Sequence, residues 1–238
     1  RGWGSGPELK RVLTRIAGNG EAGAEGDGEP ARDAELSFPM GVSPTRKGGI
    51  LIADAGNHRI REVDRFGEVS SLAGSGCSDP PAGPLGDGGP ALDACLFGPT
   101  RAVESPDGKI VYIADGGHGS VRRVERDSKA ISTFATLKSP TCDAYVVDID
   151  ADEVGSVYAA VVNLGSAIFG VNCAGVWKIS GPGSPVFVDD TGDWYSRQSL
   201  GGLDVEGGRI PLTSWNCLFE LTITGGPSES LPPGTPGV

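Results

Sequence analysis

The feature that most limits what this chain can fold into is a segment that occurs twice. GDGEPARDAELSFP at residues 26–39 lies over GDGGPALDACLFGP at residues 86–99, at a constant offset of 60 positions. After a one-residue slip the match runs on through ILIADAGNHRIREVD (50–64) against VYIADGGHGSVRRVE (111–125). RIAGNG (15–20) and SLAGSG (71–76) stand ahead of the two blocks. A period of this length means a structural unit stacked on its like, each burying a face that its neighbour supplies.

Inside the first unit the apolar alternation predicts strands at 40–44, 49–53, 58–64 and 68–73, and inside the second at 100–104, 109–114, 119–125 and 130–136. Short strands at such close spacing are the signature of an all-β fold. SPDGK (105–109) and RFGE (65–68) read as the tight turns between them. Two fainter sets follow: AYVVDID, SVYAAVV, GVWKIS and PVFVDD make a third, and GGLDVEG, RIPLTSW and CLFELTI a fourth of three strands. With 39 Gly and 18 Pro among 238 residues, long helices are excluded. The Gly has no three-residue period, which excludes collagen.

LKRVLTRIA (9–17) reads as the outermost strand of a sheet with no inner strands before it, and is expected to pair with the strand at 217–223. Joining strands from both ends removes the weak seam of a radial array. The expected fold is therefore an all-β propeller of four-stranded antiparallel blades, four in this chain over residues 1–225, with strand 9–17 closing the last blade. The alternative is part of a six-bladed ring. TGGPSESLPPGTPGV at the end reads as a Pro/Gly/Ser-rich tail or linker over 226–238.

The order IAGxG, GDGxPA, LxxP and LIADxGNHRIRxVD resembles the NHL-repeat β-propeller family. Asn57, His58 and Ile60 match the signature from which the repeat is named, and the second repeat carries Gly117, His118 and Val121 in the corresponding stretch. The resemblance covers residues 15–137 and is topological elsewhere. It implies a propeller, usually of six blades. Some related propellers are lyases or hydrolases with a metal in the central channel, and some intracellular ones bind RNA through a basic face.

The charge opposes nucleic acid. The chain carries a net charge of -11, and residues 140–238 hold 3 basic against 12 acidic side chains, a surface that repels phosphate backbones. No apolar stretch reaches the length needed to cross a bilayer, so membrane insertion is not expected. Because it starts at Arg1 rather than Met, the chain is expected to be processed or cut from something longer.

Five Cys lack any CxxC spacing, which argues against structural zinc. Cys77 and Cys95 bracket one inter-blade loop whose counterpart in the first repeat has Cys at neither end, the pattern expected of a disulfide; two unrelated buried thiols are the alternative. Cys142 with Cys173 is a second candidate pair, leaving Cys217 over. Disulfides imply an oxidising compartment, hence a secreted or cell-surface location.

The two His, His58 and His118, are expected to occupy equivalent repeat positions, which points to loop bracing rather than catalysis. GDG reads as a tight turn, because neither copy leads into a P-loop Lys-Ser/Thr. Asp148, Asp150, Asp152 and Glu153 are the candidate metal ligands, for calcium, which takes several carboxylate and carbonyl oxygens. A solvated hairpin tip is the competing reading. Asp189, Asp190 and Asp193 beside Trp194 and Tyr195 form a candidate interaction patch. With no catalytic set and no required cofactor, the chain is expected to be a non-enzymatic protein-interaction or scaffolding module whose partners are proteins of a larger extracellular assembly.

Overall fold

A computed structural model describes residues 13–77, 85–139, 143–164 and 174–188, together with the backbone of three strands at 201–203, 209–214 and 217–222. The first sheet contains β1 (Pro39–Pro44), β2 (Ile50–Asp54), β3 (Arg59–Val63) and β4 (Val69–Ala73). The second contains β5 (Pro99–Glu104), β6 (Ile110–Asp115), β7 (Ser120–Glu125) and β8 (Ile131–Thr136). β9 (Ala144–Ala151), β10 (Val157–Asn163), β11 (Gly175–Ile179) and β12 (Pro185–Phe187) make the third, and β13 (Gly201–Leu203), β14 (Arg209–Ser214) and β15 (Cys217–Thr222) the fourth.

Each sheet is an antiparallel meander in which every strand bonds to its neighbour in sequence. The innermost strands stand side by side, β1 against β5, β5 against β9 and β9 against β13, so the sheets radiate from a common centre. The sequence builds this directly. β2 (ILIAD) and β6 (IVYIAD) are apolar on both faces because a propeller sheet is packed on both sides by other sheets. Where β1 and β5 begin, each pair carries a bulge, between Pro39 and Gly41 and between Pro99 and Arg101. A bulge sharpens the strand's twist as it enters the sheet.

The core lies between blades rather than within one. Leu51, Ala53 and Ile60 of the first sheet pack with Ala102, Val111, Ile113, Val124 and Ile131 of the second, and Ala91, Ala94 and Leu96 of the connecting loop fill the outer end. A second cluster joins Val103, Tyr112, Val121 and Phe134 of the second blade to Val146, Ile149, Val157 and Ile179 of the third. Burying a Leu or Ile side chain fully is worth about 2 to 3 kcal/mol, so neighbouring blades hold one another folded.

The expected closure through residues 9–17 is not present among the described residues. Residues 9–12 lie outside them, residues 13–17 form no strand, and the last sheet stops at three strands. Just after this segment the chain fastens onto the first blade's own loop. The Gly18 N–H donates to the Ala31 carbonyl and the Asn19 N–H to the Ala34 carbonyl, both at 2.8 Å, while Ala17 packs on Leu36 and Ile50 as part of that blade's apolar cluster. Residues 74 and 75, after β4, do the same to the second blade: Gly74 donates to Ala91 and Ser75 to Ala94, both at 2.9 Å. The end of one blade's outer strand thus clasps the next blade's loop. Gly74 is needed for the clasp, since it sits at φ +96° and a β-carbon there would collide with the His58 carbonyl.

On the other side of β1, Met40 and Val42 are each 61% exposed, whereas their counterparts Thr100 and Ala102 on β5 are buried, Thr100 bonded to the Val146 carbonyl of β9 and Ala102 in the cluster shared with the first blade. The residues expected to form the tail, 226–238, lie outside the described residues.

Candidate functional site

The polar residues that recur in the two repeats converge on one buried arginine per blade. Arg61 on β3 and Arg122 on β7 have no solvent exposure. Arg61 reaches Asp27 of the GDG turn at 2.7 Å and Asp54, at the end of β2, at 3.7 Å. Arg122 makes the equivalent pairs with Asp87 at 2.6 Å and Asp115 at 3.4 Å, and also donates to the carbonyls of Cys95 and Leu85 at 3.2 Å. The GDG segment is a turn, as its glycines imply, and its Asp is the outer counter-ion of the arginine.

Asp54 and Asp115 sit at the centre of each constellation. Asp54 accepts the Ser37 N–H at 2.7 Å and the Asn57 amide at 2.7 Å. Asp115 accepts the Phe97 N–H at 2.7 Å and faces His118 Nδ1 at 2.7 Å. Burial raises the Asp54 carboxyl above its ordinary value of 3.8, against the lowering effect of Asn57, Ser37 and Arg61. At Asp87, burial also acts to raise the pKa, but the Thr133 hydroxyl and N–H together with Arg122 hold it below 3.8. His118 holds the repeat position of Asn57 and not, as expected, that of His58, and the two do the same work: each ties the loop after its blade's second strand to the central Asp.

His58 braces differently, across the blade boundary. The Gly98 N–H donates to its Nδ1 at 3.0 Å, and Phe97 lies between the two imidazoles with centroids 5.7 Å from His58 and 5.9 Å from His118. An accepting Nδ1 leaves the ring proton on Nε2. Burial holds His58 below its ordinary 6.5, against the pull of Asp115 and with the charge of His118 adding to the lowering. A depressed histidine favours the neutral ring in the fold, so its contribution to stability is complete above pH 6.5 and is lost as pH falls through the folded value. Nitrogen-detected NMR is expected to find His58 titrating below 6.5 with Nδ1 unprotonated. A midpoint at or above 6.5 would remove this bond from the account.

Further inter-blade ties lie on the opposite side of the sheets. Arg126 grips Glu62 of the first blade with both terminal nitrogens at 2.9 and 3.0 Å and Glu104 through Nε at 2.8 Å. Arg101 on β5 donates from Nε to the Ser43 hydroxyl of β1 at 3.1 Å and from Nη1 to Asp148 of β9 at 3.4 Å, tying three inner strands together. A cleft of 420 Å³ opens there, lined by Arg46, Arg101, Glu104 and Asp150 among others.

The candidate metal ligands do not come together. Asp148 is buried against Arg101, whereas Asp152 accepts the Val154 and Ser156 N–H groups at 3.2 and 2.7 Å and shapes the hairpin turn. Glu153 lies exposed on that turn, and Asp150 points to the cleft. Among the described residues no group of three or more metal-ligating side chains gathers. Cys77 and Cys95 are joined by a disulfide with Cα atoms 5.6 Å apart. Cys142 and Cys173, and the patch of Asp189, Asp190, Asp193, Trp194 and Tyr195, lie outside the described residues. Of Cys217 only the strand position is described, opposite Ser214. No helix among the described residues is long and apolar enough to cross a membrane.

Antiparallel four-stranded sheets that stand side by side through their innermost strands are the blades of a β-propeller. A bacterial structure from Bacteroides thetaiotaomicron, described as a protein of unknown function, has this fold with a TM-score of 0.56 at 13% identity, over 88% of this chain and 47% of that one. A chain of the nidogen/laminin complex matches with a TM-score of 0.55 at 13% identity, over 79% of this chain and 61% of that one. No family model matches the chain. NHL repeat-containing protein 2 of Gallus gallus is 26% identical over 113 residues, which is 47% of this chain and 15% of that protein. Through its two repeats the chain resembles NHL-repeat proteins. It spans a small part of the length of that relative and under two thirds of either structure.

Proposed function

We propose that the chain is a non-enzymatic protein-interaction or scaffolding module of a secreted or cell-surface assembly. One observation carries the reading: the polar residues that recur from repeat to repeat, Asp27 and Asp87, Asp54 and Asp115, Arg61 and Arg122, Asn57 and His118, bond to one another inside the blades. They are the fabric of the scaffold. What differs between the blades lies on the exposed turns, where contacts with other molecules are made. The Cys77–Cys95 disulfide fits an oxidising compartment, and the net charge of -11 speaks against nucleic acid.

The folded chain, fixed with a short crosslinker in its native extracellular fluid or on intact cells, is expected to capture the same protein in repeated preparations, with the heat-unfolded chain capturing none. A native chain that captures nothing specific overturns the reading.

A further inference from the structure

Two turns of the first blade carry side chains that the fold does not ask for. The turn from β1 to β2 holds Arg46 and Lys47, and the turn from β3 to β4 holds Arg65 and Phe66. The second blade makes both turns with different residues. There the first turn carries Pro106 and Asp107, with the Gly108 N–H donating to Ser105 at 2.9 Å as Gly48 donates to Thr45 at 3.1 Å. The second carries Arg126 and Asp127, and Arg126 is turned inward to grip Glu62 and Glu104. The repeat is thus its own control: the first turn keeps its closing bond, and the second, closed from Lys129 to Glu125 where the first blade closes from Gly67 to Asp64, joins the corresponding strands, both without a projecting cationic and aromatic rim.

Arg46, Lys47, Arg65 and Phe66 line one cleft of 580 Å³ together with Glu62 and Asp64. Both carboxylates are already committed. Glu62 is held by Arg126, and Asp64 accepts the N–H groups of Phe66 and Glu68 at 2.8 and 3.0 Å. Among the described residues no ion pair engages Arg46, Lys47 or Arg65, and all three are exposed. Phe66 is 80% exposed, and the Arg65 guanidinium lies over its ring at 4.6 Å. That stacking holds the cation and the ring as one platform.

From this we infer that the rim formed by Arg46, Lys47, Arg65 and Phe66 docks a short acidic peptide segment of a partner protein. The inference rests on the interaction-module reading above and names its surface. Charge complementarity selects the occupant, because these cations concentrate positive charge on a molecule whose net charge is -11. The same surroundings exclude a long polyanion. A nucleic acid or sulfated glycan running past the rim meets the molecule's own negative field, whereas a few acidic residues beside an aromatic one fit the patch and end there.

The test uses the full chain and a fluorescent Asp/Glu peptide carrying one tyrosine, with an oligo-dT strand and a heparin fragment of matched charge beside it. The peptide is expected to bind and to weaken as salt rises, and Arg46→Glu with Lys47→Glu is expected to weaken it roughly tenfold or more. Phe66→Ala is expected to weaken it at unchanged salt slope, a readout that a loss of charge alone would not give. These are surface changes, and an unaltered circular dichroism spectrum checks the fold. Equal or tighter binding of the DNA or the heparin, or a peptide indifferent to all of these changes, overturns the assignment. The crosslinking capture separates the two proposals. A native partner captured equally by the charge-reversed chain leaves the module reading standing and sinks the rim. A rim that binds the peptide while nothing native is captured does the reverse.

Discussion

Arg122→Leu is expected to destabilise the chain by about 3–5 kcal/mol, the cost of breaking a buried ion pair by removing one partner. The arginine is fully buried, and its loss strands Asp115, which is equally buried, along with the carbonyls of Cys95 and Leu85. Asp115 would keep the Phe97 N–H and His118 but lose its balancing charge. Urea unfolding at neutral pH measures the loss. Arg122→Leu combined with Asp115→Asn is expected to recover part of it, since the second change removes the stranded charge. A single-variant loss under about 1 kcal/mol would show that the arginine is solvated in solution and that the brace is not what holds the loop.

Opening the Cys77–Cys95 bridge is the second large effect. The two Cys are separated by 18 positions, and closing a loop of that size stabilises by about 3 kcal/mol in the chain-entropy model. Here the bridge also fixes Cys95, whose carbonyl accepts from Arg122, and Leu96, which is fully buried between the first and second blades. Cys77→Ser with Cys95→Ser, compared with the oxidised parent in a thermal melt, is therefore expected to lower the midpoint by several degrees. Reductant is expected to reproduce the shift in the parent and leave the double variant unmoved. If reductant moves both alike, another thiol is responsible.

The two effects mark where sequence reading succeeds and where it stops. All eight strands expected in the first two blades fall within a residue or so of their observed limits, for example 100–104 against Pro99–Glu104 and 130–136 against Ile131–Thr136. Local alternation and turn chemistry decide those boundaries, and both are written in adjacent residues. Arg61 and Arg122 escaped notice because RIREV and SVRRV place charges where a half-exposed strand would show them to water. Only the incoming GDG loop, more than 30 residues earlier, covers them and supplies the Asp. The repeat did contain a signal, since Asp27 with Arg61 recurs as Asp87 with Arg122 at matching positions. A charge pair that returns with its spacing is a sign of contact. Asp148 was equally illegible: its partner Arg101 sits on another blade's inner strand, and nothing local distinguishes it from a solvated carboxylate.

The clasp of Gly18 and Asn19 on Ala31 and Ala34, repeated by Gly74 and Ser75 on Ala91 and Ala94, means that the copied stretch of sequence and the packed sheet are out of phase. An engineer grafting one of these modules into another ring would do well to cut just before residues 18 and 74, so that each cassette travels with the fastening for its own loop. Cuts made at the sheet edges would leave two junctions unbuttoned, although every strand in the transplant was intact.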